Sequence, residues 1–72
     1  MADSESLEVL VNDFKVSAPV PSTVEMLLEQ LKEADPHMIV ELNGRLVYPK
    51  RYATTEIRDG DRVEIINPDF GG

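Results

Sequence analysis

The apolar residues change their spacing twice along this chain, and the order of those changes restricts its fold more than any other feature. Leu7, Val9 and Val11 alternate with Glu8, Leu10 and Asn12, and Phe14, Val16 and Ala18 then alternate again. A period of two is that of a strand with one covered face. Asn12-Asp13 between the two runs supplies residues suited to a tight turn, so the runs read as a hairpin. Pro19 and Pro21 end the second strand, since neither can donate a ladder hydrogen bond.

The period then becomes helical. Val24, Leu27, Leu28 and Leu31 fall at i, i+3, i+4 and i+7, a single apolar stripe, while Glu25, Glu29, Lys32 and Glu33 face away. Ser22 and Glu25 have the spacing of a capping box, which places the helix start at Ser22. Asp35-Pro36 stops it, giving a length of about ten to twelve residues. Strand patterning returns in His37–Leu42, with apolar residues on both faces. Asn43-Gly44 follows, the strongest short hairpin signal, and leads into a strand over Arg45–Tyr48 that Pro49 ends. Lys50 to Ile57 reads as an irregular connection, Asp59-Gly60 as a tight turn, and Arg62–Ile66 as the last strand. Pro68 and the paired glycines keep Asn67 to Gly72 from continuing it.

The order is strand, strand, helix, strand, strand, strand. One amphipathic helix and a sheet with one apolar face can bury each other. The expected class is α+β: a β-grasp (ubiquitin-like) roll, with a mixed sheet of about five strands packed on one main helix. The last strand is expected centrally, beside the first, as is usual for this topology. Residues 1–66 make the domain, with 1–6 a loose N-terminal tail, and 67–72 form a flexible C-terminal tail ending in Gly-Gly.

A chain of 72 residues buries only about 60% of its unfolded surface, so it holds one thin core and little room for a deep pocket. Function is therefore sought on the surface and at the ends. The formal net charge is -7, from 14 acidic and 7 basic residues. That balance repels a phosphate backbone and an anionic membrane surface, and its natural complement is a protein with a basic docking face. Cysteine is absent, which excludes a disulfide framework, cysteine-ligated zinc and cysteine catalysis. No apolar run approaches the length of a membrane span. Met1 to Ser6 is acidic and polar, unlike a secretory signal, so a cytoplasmic protein is expected.

Few residues suggest chemistry of their own. Asp59-Gly60-Asp61 lacks the further oxygen ligands and terminal Glu of a calcium loop. His37 follows Asp-Pro and reads as a solvated loop residue. Arg45 with Lys50-Arg51 makes either a small basic patch for a partner or nucleotide, or a solvated edge. There is no nucleophile–base pair, phosphate loop or credible metal cluster. The chain is expected not to be an enzyme, with no catalytic residue, no metal and no bound cofactor.

The second half carries a family resemblance. Val40-Glu41-Leu42-Asn43-Gly44-Arg45, Pro49-Lys50-Arg51-Tyr52, Asp59-Gly60-Asp61-Arg62-Val63-Glu64-Ile65-Ile66 and the closing Gly71-Gly72 resemble the ThiS family, the sulfur carriers of thiamine biosynthesis. The related MoaD family shares the Asp-Gly-Asp/Glu turn, the last strand and the terminal glycines. The resemblance covers about half the chain; the first half matches by element order and by Thr23-Val24-Glu25-x-Leu27-Leu28. Phe70 before Gly71, the lead-in Asn67-Pro68-Asp69 and the additional N-terminal residues depart from the ThiS pattern. These leave the recipient pathway open among thiamine, cysteine or homocysteine, thiolated tRNA and molybdopterin.

The resemblance implies a site at Gly72. An adenylating (ThiF/MoeB-like) enzyme uses ATP to convert its carboxylate to an acyl-adenylate. Persulfide sulfur, ultimately from a cysteine desulfurase, displaces AMP and leaves a thiocarboxylate. That group then delivers sulfur to thiazole synthase or to another acceptor enzyme. The free carrier is expected to be a monomer. Gly71 and Gly72 lack a Cβ and suit a narrow channel. With Phe70 they form the threading end, while Pro68 stiffens the base of the tail. Six extended residues reach about 20 Å. Glycine makes up about 7% of residues, so a Gly-Gly end arises by chance roughly once in two hundred chains.

One surface is expected to dock the activating enzyme. If Leu7, Val9 and Val11 face the helix, Leu10 points away, and Ile66 points away if Val63 and Ile65 face in. Leu10, Ile66 and Ile39 would then lie together on the open sheet face, with Tyr48 or Phe70 at the rim. Partial exposure without function is the alternative. Two other functions share the sequence features: a ubiquitin-like modifier joined to lysines through Gly72, and a binding module with an inert tail.

Overall fold

The computed structural model describes residues 5–68. Its elements are β1 (Ser6–Val11), β2 (Phe14–Pro19), β3 (Ser22–Thr23), α1 (Val24–Leu31), β4 (Ile39–Leu42), β5 (Arg45–Val47), a 3₁₀ segment (Pro49–Thr54), β6 (Glu56–Ile57) and β7 (Arg62–Ile66). Five strands form a mixed sheet in the order β2-β1-β7-β4-β5, and β3 pairs with β6 in a small second sheet. β7 lies parallel to β1 and antiparallel to β4. The architecture is α+β, a β-grasp roll with the last strand at its centre.

Turn chemistry sets the two hairpins. Asn12 and Asp13 have φ of 50° and 73°, and Asn43 and Gly44 have 53° and 85°. Two successive left-handed residues make the turn whose twist matches that of the flanking strands. They fix Val11 opposite Phe14 and Leu42 opposite Arg45. Leu7, Val9 and Val11 consequently share a face with Val63, Ile65, Val40 and Val47, and all are buried with Val24, Leu27 and Leu28 of the helix. A fully buried side chain of this size contributes about 1.5–3 kcal/mol. Phe14 has the parity of the core face, but it sits at the hairpin end and is 75% exposed.

The helix departs from the sequence reading at both ends. It starts at Val24, because Ser22 and Thr23 are drawn into β3, where they pair with Ile57 and Glu56. Thr23, not Ser22, is the cap: its Oγ1 accepts the Met26 N–H at 3.2 Å. Ser22 is buried, and its hydroxyl donates to the Pro19 carbonyl. The helix ends after eight residues, well before Asp35-Pro36, because Lys32 turns left-handed at φ 60°. Lys32 N–H then donates to the Glu29 carbonyl at 3.1 Å and Glu33 N–H to that of Leu28 at 2.9 Å, the two reversed bonds of a Schellman ending. Glycine is the usual residue there, so lysine gave no signal. The Asp35-Pro36 turn forms separately, with the Asp35 carboxylate accepting the His37 N–H at 2.8 Å.

The stretch read as an irregular connection is ordered. Pro49 opens the 3₁₀ segment, and Thr55 donates its hydroxyl to the Arg51 carbonyl at 2.7 Å. β6 then brings Ile57 into the core beside β3. β4 begins at Ile39 and β5 ends at Val47, each shorter than the apolar pattern predicts.

Candidate functional site: the exit of the last strand and the open sheet face

β7 leads into Asn67 and Pro68, the last described residues, so its two flanks set the base of the C-terminal segment. At the start of β7, the Asp59 carboxylate accepts the Glu8 N–H at 2.8 Å, and Gly60 N–H donates to the Glu8 carbonyl at 2.8 Å. Gly60 has φ +89°, which glycine adopts without strain. The Asp61 carboxylate accepts from Arg58 N–H at 2.7 Å and from the Asn43 amide at 3.0 Å. Asn43 also accepts the Arg62 N–H at 2.9 Å and donates its own N–H to the Arg62 carbonyl at 2.7 Å. Asp59-Gly60-Asp61 is thus a clamp joining β1, β7 and the β4–β5 turn, with both carboxylates engaged by protein donors.

Near the exit, Ile66 pairs with Ile39 on the β4 side. On the other side β1 has already ended at Val11, and Asn12 takes its place. Its N–H donates to the Val63 carbonyl at 2.9 Å. Its side-chain oxygen accepts the Ile65 N–H at 2.9 Å, and its side-chain nitrogen donates to the Ile65 carbonyl at 3.2 Å. One amide side chain thereby extends the ladder by a rung. The sequence reading gave Asn12 a turn role only. Its capacity to donate and accept at once is the available signal, but nothing local points it at a residue 53 positions away. Replacing Asn12 by Ala strands both polar groups of Ile65 and puts a Cβ without local hydrogen bonding at positive φ. An unpaired group of this kind costs about 1–3 kcal/mol, so Asn12→Ala is expected to lose about 2–3 kcal/mol in a urea titration, and Asn12→Asp, which retains only the acceptor, an intermediate amount.

The register places the residues expected on the open face. Ile39 faces Ile66 across β4 and β7, and Tyr48 lies one step beyond the Val40–Val47 rung, next to Ile39. These three make an apolar row at the end of the sheet where the tail departs, and all are exposed. The next row holds Leu46, Glu41 and Glu64, the two carboxylates on directly opposed residues. Leu10 is not part of the apolar row: β1 and β7 run parallel with Leu10 opposite Arg62, four residues from Ile66. Face assignment by period was right for Leu10, but the stagger between strands separates it from Ile66. Arg62 itself donates to Asp13 at 2.6 Å.

Pro68 is half-buried and is the last described residue; Phe70, Gly71 and Gly72, the expected threading end and reacting terminus, lie outside the described residues. His37 is an exposed loop residue, its ring nitrogen 3.9 Å from Asp35. Burial pushes the Tyr52 phenol above its ordinary range, and its ring packs on the core from the 3₁₀ segment. A cleft of about 400 Å³ between β5 and that segment is lined by Arg45 and Arg51 together with Leu42, Leu46, Val47, Tyr48 and Thr55. Lys50 does not line it. Among the described residues no group of three or more His, Cys, Asp or Glu is placed to hold a metal ion, and no helix is long and apolar enough to cross a membrane.

The chain's likenesses agree with this geometry. No curated protein matches the sequence. Among solved structures, the thiamine biosynthesis protein (ThiS) from Geobacter metallireducens is similar, with 30% identity and a TM-score of 0.77 over 92% of this chain and 100% of that one. The ThiS family model matches residues 4–72, from ahead of β1 through the closing glycines. The chain belongs to the ThiS family of small sulfur carriers.

Proposed function

We propose that this protein carries sulfur for thiazole formation in thiamine biosynthesis, as a thiocarboxylate at Gly72. The observation that carries the reading is the family match running through residue 72, in a fold whose central strand leads directly to that end. The chemistry divides between carrier and partners. A ThiF/MoeB-like enzyme joins the Gly72 carboxylate to AMP from ATP and releases pyrophosphate. A persulfide, ultimately supplied by a cysteine desulfurase, attacks the acyl carbon and expels AMP, forming an acyl disulfide; a thiol then attacks the persulfide-derived cysteine sulfur, leaving the thiocarboxylate and a disulfide between the two thiols. The nucleophilic sulfur then passes to thiazole synthase. The carrier supplies a terminus without side chains, held on a rigid base by Asn12 and Ile39, and no acid–base group of its own.

The apolar row of Ile39, Tyr48 and Ile66 is the surface on which the adenylating enzyme docks, with Leu10 farther along the same face. Exposed apolar residues grouped beside a reactive end suit an interface, and the paired Glu41 and Glu64 suit a basic partner. Ile66→Asp is expected to lower the rate of adenylation about tenfold or more while changing the melting temperature little, because the side chain is exposed and its removal opens no cavity. Pyrophosphate release with a ThiF-type enzyme measures it; an unchanged rate removes Ile66 from the interface.

Mass spectrometry of the C-terminal peptide from cells tests the function itself. A carrier shows one terminal oxygen replaced by sulfur. A modifier shows Gly72 joined to lysines of other proteins, and a binding module shows neither. Thiocarboxylate that persists when thiazole synthase is absent but disappears with a different acceptor would move the chain to cysteine, tRNA or molybdopterin synthesis.

A further inference from the structure

The cleft beside β5 stands apart from the apolar row yet shares its border, because Leu46 and Tyr48 line the cleft and also belong to the open face. Its two cations are set by ordered backbone. Arg45 follows the Asn43-Gly44 turn and pairs with Leu42. Arg51 is held through its N–H, which donates to the Tyr48 carbonyl at 2.8 Å, and through its carbonyl, which accepts from Thr55. Among the described residues the arginine engaged in an ion pair is Arg62, with Asp13, so neither cleft arginine is neutralised by a described carboxylate. Leu42 and Val47 add apolar surface to the lining. β5 is also the edge of the sheet.

In a chain of net charge -7, most of the surface repels an acidic group. A cleft lined by two arginines and by apolar residues makes the opposite environment, and the planar donors of a guanidinium match a carboxylate. The geometry points to a second contact for the adenylating enzyme: one acidic side chain of that enzyme, flanked by an apolar residue, enters the Arg45–Arg51 cleft while its apolar surface covers Ile39, Tyr48 and Ile66. The enzyme then grips the β5 edge from both sides. This rests on the docking reading above and adds to it a partner group of opposite sign to the one that overall charge suggests.

That opposition in sign makes the test decisive. If the partner simply attracts a negative carrier, removing any cation makes the carrier more negative and tightens binding. If an acidic group sits in the cleft, removing its arginines weakens binding, while removing Lys50, next in sequence but outside the cleft, does not. Affinity of the whole carrier for a ThiF-type adenylating enzyme is measured by calorimetry for wild type, Arg45→Ala/Arg51→Ala, Lys50→Ala and Ile66→Asp, with each variant's melting temperature. The expected result is about a tenfold or greater loss for the double arginine variant, an unchanged or tighter Kd for Lys50→Ala, and little change in melting temperature for either. The inference is overturned if the arginine variant binds as well as or better than wild type, or if Lys50→Ala weakens binding equally. Arg45→Lys/Arg51→Lys keeps the charge without the planar fork; should the alanine variant melt early, weaker binding by this better-folded pair supports the cleft, and full retention overturns the forked contact. If wild type does not bind, or Ile66→Asp binds normally, the docking reading fails; if Ile66→Asp alone loses binding, only the cleft contact fails.

Discussion

Deleting Gly72 is expected to reduce thiocarboxylate formation by at least about a thousandfold while leaving the melting temperature unchanged. Among the described residues, the core side chains run from Leu7 to Ile65 and the clamps on β7 involve residues up to Ile66, all ahead of Gly72. The proposed reaction takes place on it. Deletion leaves Gly71 as the terminal residue, so the end is still a glycine carboxylate, but it stops about 3.5 Å short. A misplacement of about 1 Å can already cost a hundredfold in rate. Gly72→Ala, which keeps the length and adds a Cβ, is expected to lose less. Intact-mass analysis after incubation with a ThiF-type enzyme, ATP and a sulfur donor separates the three proteins. Full thiocarboxylate formation after deletion would show that the Gly71 carboxylate reacts as well as that of Gly72, and would remove Gly72 as the required reacting residue.

The main sheet was legible because two separate codes agree on it. Alternation assigned Leu7, Val9, Val11, Val63 and Ile65 to one face, and Asn12-Asp13 and Asn43-Gly44 fixed which residues oppose each other. Where only one code operates, the reading failed. Ser22 has the spacing of a cap, yet whether it caps depends on Ile57 of β6, 35 residues later, pairing with it. Lys32 ends the helix in a conformation that costs a non-glycine residue about 1–2 kcal/mol, so no local preference announces it. Two-residue strands such as β3 and β6 are too short to show a period at all.

The same distinction separates the site residues. Ile39 and Ile66 meet because Asn43, in the turn after β4, exchanges hydrogen bonds with Arg62 at the start of β7, which sets the register of that antiparallel pair. Leu10 was misplaced because β1 and β7 are parallel neighbours joined through the whole chain, and no turn fixes their stagger. The Asp59-Gly60-Asp61 motif was visible as a turn and as a family mark. Its role as a clamp on Glu8 and Asn43 depends on which strands adjoin β7. Asn12 illustrates the limit: its residue type fits a turn, and only the fold shows that the side chain completes the ladder at the base of the tail.

Truncating Leu27 to Ala should be the most damaging single change to the fold. Leu27 has no exposed surface; it lies in the middle of α1, in the core that the helix shares with the sheet. Leu→Ala at such a site costs about 3–5 kcal/mol, from lost transfer energy and from a cavity that rigid surroundings cannot close. At about 0.05–0.15 kcal/mol per residue, a domain of this size has roughly 4–11 kcal/mol in total. The melting temperature should fall by roughly 15–30 °C. Activity then separates fold from chemistry. Leu27→Ala keeps Gly72 and the apolar row, so near 10 °C, below its transition, it should accept sulfur at close to the wild-type rate and lose that ability as it melts. Deletion of Gly72 gives the reverse: a stable protein that accepts none at any temperature. A Leu27→Ala protein that melts with the wild type would mean that the helix does not pack on the sheet, and the rigid base assigned to the tail would go with it.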